Sequence, residues 1–153
     1  MSLIKKTFQT RASAAVLLIR LMVGLVFLSE GIQKFLYPDA RGVGRFIKIG
    51  LPEPEFLASF VASFEIACGI LIVLGLFTRL AVLPTITIML VAIATTKIPM
   101  LAEDGFWSMA HAARTDFSML LGSLYLLIVG AGPLSIDAIL SWKKKSQKQT
   151  QSN

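Results

Sequence analysis

The chain has 153 residues, of which 55% are hydrophobic and 16% are charged, whereas charged residues make up about a quarter of a typical soluble domain. The charges gather near the ends and in two connections, which leaves long apolar runs between them. This pattern excludes an ordinary soluble core and predicts a single all-α integral membrane domain. The net charge of +6 does not indicate nucleic-acid binding. The one basic run, residues 143–148, has no interleaved aromatic residues and fits a cytoplasmic membrane flank.

Cys68 and His111 are each the only residue of their type. One cysteine excludes an intrachain disulfide and a CxxC redox pair, and one histidine excludes bis-histidine haem ligation within one chain. We therefore expect no metal site and no covalently bound cofactor. Cys68 is expected to be a packing residue, and His111 is expected to lie in a solvated connection.

The first predicted helix covers residues 14–36. Its apolar stretch is too long for the h-region of a signal peptide, so we expect an uncleaved first span. Residues spaced by four and three along this helix share one stripe, which faces the bundle: Arg20, Gly24, Phe27, Gly31 and Lys34. Glu30 lies four residues before Lys34, the favourable order for an acid and a base on a helix surface.

The second predicted helix covers residues 56–75 and has one charge in its middle, Glu65. A carboxylate at that depth costs on the order of 3 kcal/mol, so it should face a cation or a polar cavity. The connection before this helix is rich in glycine and proline, and a short helix around residues 45–49 could lie on the membrane surface. Gly75 is the expected C′ residue.

The third and fourth predicted helices cover residues 80–98 and 114–130. Pro99 should end the third helix, and Asp116 lies near the start of the fourth. Ser135 is expected to cap a short last helix at residues 136–142. The result is an up-down four-helix bundle in residues 1–140, followed by a basic tail at 141–153. Lysines and arginines favour cytoplasmic N- and C-termini.

Charged residues from different helices should meet in a polar cleft that opens toward the outer face. Counting at about 1.5 Å per residue puts Arg20 and Glu65 roughly 8 Å apart in height, a gap that an arginine side chain can cover. We expect these two residues to be catalytic. The expected substrate-binding residues are Glu30, Lys34, Asp116 and Arg114. The alternative is a structural ion-pair network that only fixes helix register.

Three stretches resemble the DoxX family of small four-helix membrane proteins: RLMVGLVFLSEGIQKF (20–35), EIACGILIVLGLFTRLA (65–81) and GAGPLSID (130–137). One departure is Asp116, where many relatives carry glutamate. The resemblance implies a bacterial inner-membrane protein. Some relatives are subunits of oxidoreductases, including thiosulfate:quinone oxidoreductase, and others act against oxidative or thiol stress in complexes with soluble redox enzymes.

Two functions follow from these observations. The first is a redox-associated subunit whose cleft binds a quinone or a small electrophile, with Arg20 or Lys34 bonding a carbonyl oxygen and Glu65 exchanging a proton. The alternative is a non-enzymatic membrane module that anchors soluble redox partners or passes a small solute. Expected partners are the lipid bilayer, soluble redox enzymes or a second membrane subunit, and a further copy of the chain, because the glycine stripes suit contacts within or between subunits.

Overall fold

The computed structural model describes residues 14–142, and this part of the chain is helical, without a β-strand. Most of the basic residues that favour cytoplasmic termini, at positions 5, 6, 11, 143, 144, 145 and 148, lie outside the described residues, whereas Arg79, expected on the same side, lies within them. Nearly all of the predicted tail at 141–153 lies outside them as well.

The helices α1 (Val16–Leu36) and α4 (Pro54–Leu74) make the most extensive contact in the described chain. Glycines form this contact, because a Cβ at Gly24 would lie 3.0 Å from the Gly69 carbonyl oxygen, and one at Gly69 would lie 2.7 Å from the Leu28 amide nitrogen. The two backbones therefore touch directly, as small residues allow in membrane helices. The predicted inward stripe of α1 is confirmed, since Arg20, Gly24, Phe27 and Gly31 are buried.

Two short helices, α2 (Pro38–Arg41) and α3 (Val43–Lys48), connect α1 to α4. The predicted short helix is present as α3, and it begins two residues earlier than expected. A Cβ at Gly42 would lie 2.5 Å from the Lys34 carbonyl oxygen, so this connection folds closely against the end of α1. Phe46 is buried, which anchors α3 to the bundle.

Gly75 ends α4 at a φ of 67°, which confirms the predicted C′ glycine. The next helix, α5 (Thr78–Ala92), continues through a π-helical segment, Ile93–Lys97, into α6 (Ile98–Val129). The predicted helix end at Pro99 is wrong, because Pro99 lies in the first turn of α6, where proline is tolerated since an unpaired N–H is expected there anyway. The predicted connection up to residue 115 is therefore also mostly helical.

The helical path breaks inside α6 at Gly105, whose φ of 80° and ψ of 173° are essentially restricted to glycine. Three contacts show how the chain runs on either side: Lys97 pairs with Asp116, Thr85 with Ser123, and Arg79 with the Ile128 carbonyl. Because the partner's number falls as the residue number rises, the segments before and after Gly105 are antiparallel.

After α6 the described part of the chain ends with a short helix, α7, residues 136–142. The Ser135 hydroxyl accepts a 3.1 Å hydrogen bond from the Ala138 amide, which confirms the predicted cap. Three helical stretches are long and apolar enough to cross a membrane: Val16–Leu36, Pro54–Leu74 and Thr78–Val129, the last containing the break at Gly105. Large apolar side chains such as Leu18, Phe56 and Ile128 are exposed, as expected for contact with lipid.

Candidate functional site

The central charged residue, Glu65 on α4, is almost completely buried, with 2% of its side chain exposed. Its Oε2 atom lies 2.7 Å from Lys34 Nζ near the end of α1, in a direct ion pair. The Lys34 side chain is also largely buried. A buried ion pair needs such close geometry, because each ion loses its hydration. The expectation that Glu65 faces a cation on the neighbouring helix is met, although the cation is a different one.

Arg20 does not contact Glu65, so the predicted pairing of these two residues is wrong. Close approaches between α1 and α4 place Gly24 opposite Gly69 and Gly31 opposite Ile66. In that register Arg20 is level with Gly75, ten residues below Glu65, or about 15 Å along the helix axis. The height difference between Arg20 and Glu65 that the sequence predicts is too small, because it is counted from assumed helix ends. The register of the two helices is fixed only by the glycine contacts.

Arg20 belongs instead to a buried polar cluster at the end of the bundle where α1 begins and α4 ends, around the turn between α4 and α5. Its Nη1 atom donates a 2.9 Å hydrogen bond to the Ala131 carbonyl and would clash with a Cβ at Gly75. Asp137 accepts hydrogen bonds from the amides of Phe77 (2.8 Å) and Thr78 (3.1 Å), which satisfies the first turn of α5. This cluster joins the segment that follows α6 to the helices α1 and α5.

A cavity of about 490 Å³ lies between the α1–α4 pair and the α5–α6 pair. Most of its wall is apolar, with Phe27, Phe60 and Met119 among the lining residues. Four of the predicted site residues line it, namely Glu65, Lys34, Glu30 and Asp116. Its volume falls within the range of about 300–1,000 Å³ that is usual for small-molecule sites. The structure thus brings these four residues together around one space.

A second ion pair lies on the α5–α6 side of the cavity. Asp116 Oδ2 is 3.2 Å from Lys97 Nζ, and both side chains are mostly buried. Arg114 is not among the residues that line the cavity and donates a hydrogen bond to the carbonyl of His111. The structure therefore does not place Arg114 with the other predicted substrate-binding residues.

The cavity also contains residues that the sequence analysis did not select. Arg41 and Arg45, on the short helices α2 and α3, line it, and Arg41 Nη1 lies 4.0 Å from Glu30 Oε1. Thr95 and Thr96 line it from the π-helical segment. The sequence holds no clear signal for the two arginines, because they lie on separate short helices in a connection rich in glycine and proline. The π-helical segment likewise has no sequence pattern of its own.

The side chains around the cavity are suited to binding an organic ligand through hydrogen bonds. The residues between positions 14 and 142 contain no group of three or more histidine, cysteine, aspartate or glutamate side chains that could hold a metal ion. Lys34 has three N–H donors, and Glu65 is the one hydrogen-bond partner found for it within the described chain. The site can therefore donate a hydrogen bond to a polar group on an otherwise apolar ligand.

Comparison with known proteins gives a consistent picture. The family model described as DoxX matches residues 15–98. An uncharacterized membrane protein of Mycobacterium tuberculosis, Rv3486, is 53% identical over 133 residues, which cover 83% of this chain and 82% of that protein. A Bacillus subtilis protein named "Putative oxidoreductase CatD" is 30% identical over 132 residues, which cover 85% of this chain and 90% of the relative. No solved structure matches the chain.

Proposed function

The chain belongs to the DoxX family of membrane proteins, and on that premise we propose that its cavity binds a small carbonyl compound, a quinone, in a redox-associated role. One observation carries the proposal. The ion pair between Lys34 and Glu65 is buried at the wall of an apolar cavity. Ionisable residues inside a membrane are costly and usually mark a functional path.

The pair has the chemistry that quinone binding requires. The N–H donors of Lys34 that Glu65 does not engage can reach a carbonyl oxygen, and the apolar wall suits a ring. Reduction of a quinone adds two electrons and two protons; the Glu65 carboxyl can pass one of those protons to the quinone, and water provides the second. The electrons come from a redox partner, such as a soluble redox enzyme. The name of the Bacillus subtilis relative is consistent with this role.

The arrangement in the membrane is part of the same proposal. Helices α1 and α4 and the two arms on either side of Gly105 form a four-helix up-down bundle in a bacterial inner membrane, with both termini in the cytoplasm. The antiparallel contacts of the two arms support four crossings. In this orientation the Glu65 cavity opens in the outer half of the membrane, and the Arg20 cluster lies at the cytoplasmic end.

A second candidate is a non-enzymatic module that anchors redox partners or passes a small solute, in which the ion pairs only hold the helices in register. One observation favours it: both Glu65 and Asp116 already have a lysine partner in the described structure. Under this alternative, loss of either charge lowers stability and leaves ligand binding unchanged.

Calorimetric titration of the protein in lipid nanodiscs with duroquinone and its hydroquinone separates the two candidates. The expected result is that Lys34→Met binds at least one form about tenfold more weakly, as loss of one charge-assisted hydrogen bond implies. Lys48→Met and Glu55→Gln are matched controls, because both residues are exposed and neither lines the cavity. Equal binding by wild type, Lys34→Met and Glu65→Gln would contradict the proposal and favour the module.

A further inference from the structure

We infer that the cavity prefers the reduced, hydroxyl-bearing form of its ligand, a hydroquinone or a related phenol, over the fully oxidised quinone. This inference rests on the proposed function and adds which redox form the site holds more tightly. The distinction lies in which atoms of the two facing walls can donate a hydrogen bond and which can only accept one. Arg41, whose Nη1 atom lies 4.0 Å from Glu30 Oε1 on α1, and Arg45 on α3 belong to the α1–α4 side of the cavity and add donors there.

The wall formed by α1 and α4 can donate. An ammonium group has three N–H bonds, and the described residues engage one of those on Lys34, through Glu65 Oε2 at 2.7 Å. Glu30 Oε2 is 4.0 Å from the same nitrogen, which is too long for a hydrogen bond. Lys34 can therefore donate to an oxygen atom at one end of a ligand.

The wall formed by α5, the π-helical segment and α6 has a carboxylate at its centre. Lys97 Nζ lies 3.2 Å from Asp116 Oδ2, in an ion pair between an ammonium group and a carboxylate. An ionised carboxylate accepts hydrogen bonds and donates none. Asp116 lines the cavity, whereas Lys97 is not one of the lining residues, so the ligand meets the acceptor.

Three threonines that line this wall add further hydrogen-bond acceptors to it. Thr87, Thr95 and Thr96 donate their hydroxyl hydrogens to the carbonyls of Leu83, Val91 and Ala92, at 3.1, 2.8 and 2.6 Å respectively. Each hydroxyl has a single hydrogen, so these oxygens are left as acceptors. Thr115, which is exposed, has no such bond within residues 14–142 and is the one lining threonine that can still donate.

A ligand that satisfies both walls carries an acceptor at one end and a donor at the other. Both oxygens of a quinone are acceptors only, so one of them would face the Asp116 carboxylate without a hydrogen atom between them. A hydroquinone oxygen accepts from Lys34 at one end, and the O–H group at the other end donates to Asp116. Hydrogen bonds to an ionised group are the stronger kind, so the two redox forms should differ clearly in affinity.

Calorimetry with three ligands of similar shape tests this preference: duroquinone, durohydroquinone and durohydroquinone dimethyl ether. Titrations are anaerobic, with the whole protein in nanodiscs of zwitterionic lipid. We expect durohydroquinone to bind about tenfold more tightly than either other ligand, the ratio that corresponds to one hydrogen bond to a charged group.

The variant Asp116→Asn assigns the preference to its residue, because an amide can donate as well as accept. We expect duroquinone to bind this variant more tightly than wild type and the hydroquinone preference to fall to near parity. Asp104→Asn is the matched control, since Asp104 is exposed and lies outside the cavity. If Asp116→Asn does not fold, the double variant Lys97→Met with Asp116→Leu removes both charges together, and parity is again expected.

Equal affinity of the wild type for the two redox forms would overturn this inference and leave the proposed function standing. A hydroquinone preference that survives in both Asp116 variants would also overturn it. Absence of binding by either redox form to the folded wild type would overturn the proposed function as well.

Discussion

At the level of single residues, the main feature of the structure is the pairing of its buried charges. Two lysines, Lys34 and Lys97, each pair with a buried or mostly buried carboxylate on another helix, while Arg20 bonds a backbone carbonyl. Removing one partner of a buried pair leaves an uncompensated charge, whereas removing both can be nearly neutral. Comparing a single variant with the double variant therefore separates the stability that the ion pair contributes from the penalty of leaving one buried charge unpaired.

Glu65→Gln should lower the free energy of unfolding by about 3 kcal/mol, because Lys34 then remains buried without its anion. The double variant Lys34→Met with Glu65→Leu should recover most of that loss. Thermal unfolding in detergent measures both effects. Glu55→Gln, on an exposed position of the same helix, is the control and should match wild type. Wild-type stability in Glu65→Gln would show that the pair does not form.

The sequence could identify Glu65 as buried and paired, because a lone carboxylate in an apolar span has few alternatives. It could not identify Lys34 as its partner, since that choice depends on how α1 slides along α4. Gly24 and Gly69 set this register through backbone contacts. A stripe of glycines in the sequence shows that two helices can approach closely, but it does not show which glycines lie opposite each other. The same uncertainty explains the incorrect placement of Arg20.

At the scale of helices, the contact between α1 and α4 holds the cavity wall together. The backbone approach at Gly69 leaves no space for a methyl group, because the atoms nearest to its Cβ position belong to the backbone of α1. Backbone atoms cannot move aside like a flexible side chain. The two helices must therefore separate, or shift in register, to accept a larger residue.

Gly69→Ala should destabilise the protein by about 1–3 kcal/mol, the usual cost of overpacking a tight contact. Ile70→Ala is the control, because Ile70 follows directly in sequence and points outward, with 43% exposure. Thermal unfolding of the two variants in the same detergent compares the face of α4 that packs on α1 with the face that points outward. A larger loss in Ile70→Ala than in Gly69→Ala would contradict the packing described here.

The helices in the second half of the chain were harder to predict. The apolar pattern indicated two helices separated by a polar connection, and the structure continues helical backbone through Pro99 to a single break at Gly105. Polar residues such as Glu103 and Asp104 suggested a loop by composition. Helical backbone tolerates them because they are exposed, so composition alone could not distinguish a loop from a helix that projects beyond the apolar core.

At the scale of the whole molecule, the arrangement depends on the reversal at Gly105. The hydroxyl oxygens of Thr85 and Ser123 are 3.2 Å apart and both residues are buried. This contact exists only if the segments on either side of Gly105 lie side by side. It also brings Asp116 to the cavity, so the second ion pair depends on the same reversal.

Cysteines at positions 85 and 123 should form a disulfide under mild oxidation, in a background where Cys68 is replaced by alanine. The reason is that the Oγ1 atom of Thr85 and the Oγ atom of Ser123, whose positions the two cysteine sulfurs would take, are 3.2 Å apart, and a small adjustment brings two sulfurs to the bonding distance of about 2 Å. Mobility on a non-reducing gel after cleavage at an engineered site between them reports the bond. Cysteines at 85 and 118 are the control, because Ser118 is exposed and instead bonds the Arg114 carbonyl. Efficient linkage of the control pair alone would contradict the antiparallel arrangement.

In the proposed function, the ligand lies in the space between the Lys34–Glu65 and Lys97–Asp116 ion pairs. Photolabelling of membranes with an azidoquinone, followed by peptide mapping, tests it most directly. We expect labels on buried cavity residues such as Phe27 and Met119, and excess unlabelled hydroquinone should suppress them. Labels confined to lipid-exposed residues such as Leu18 and Ile128, unaffected by the competitor, would contradict it.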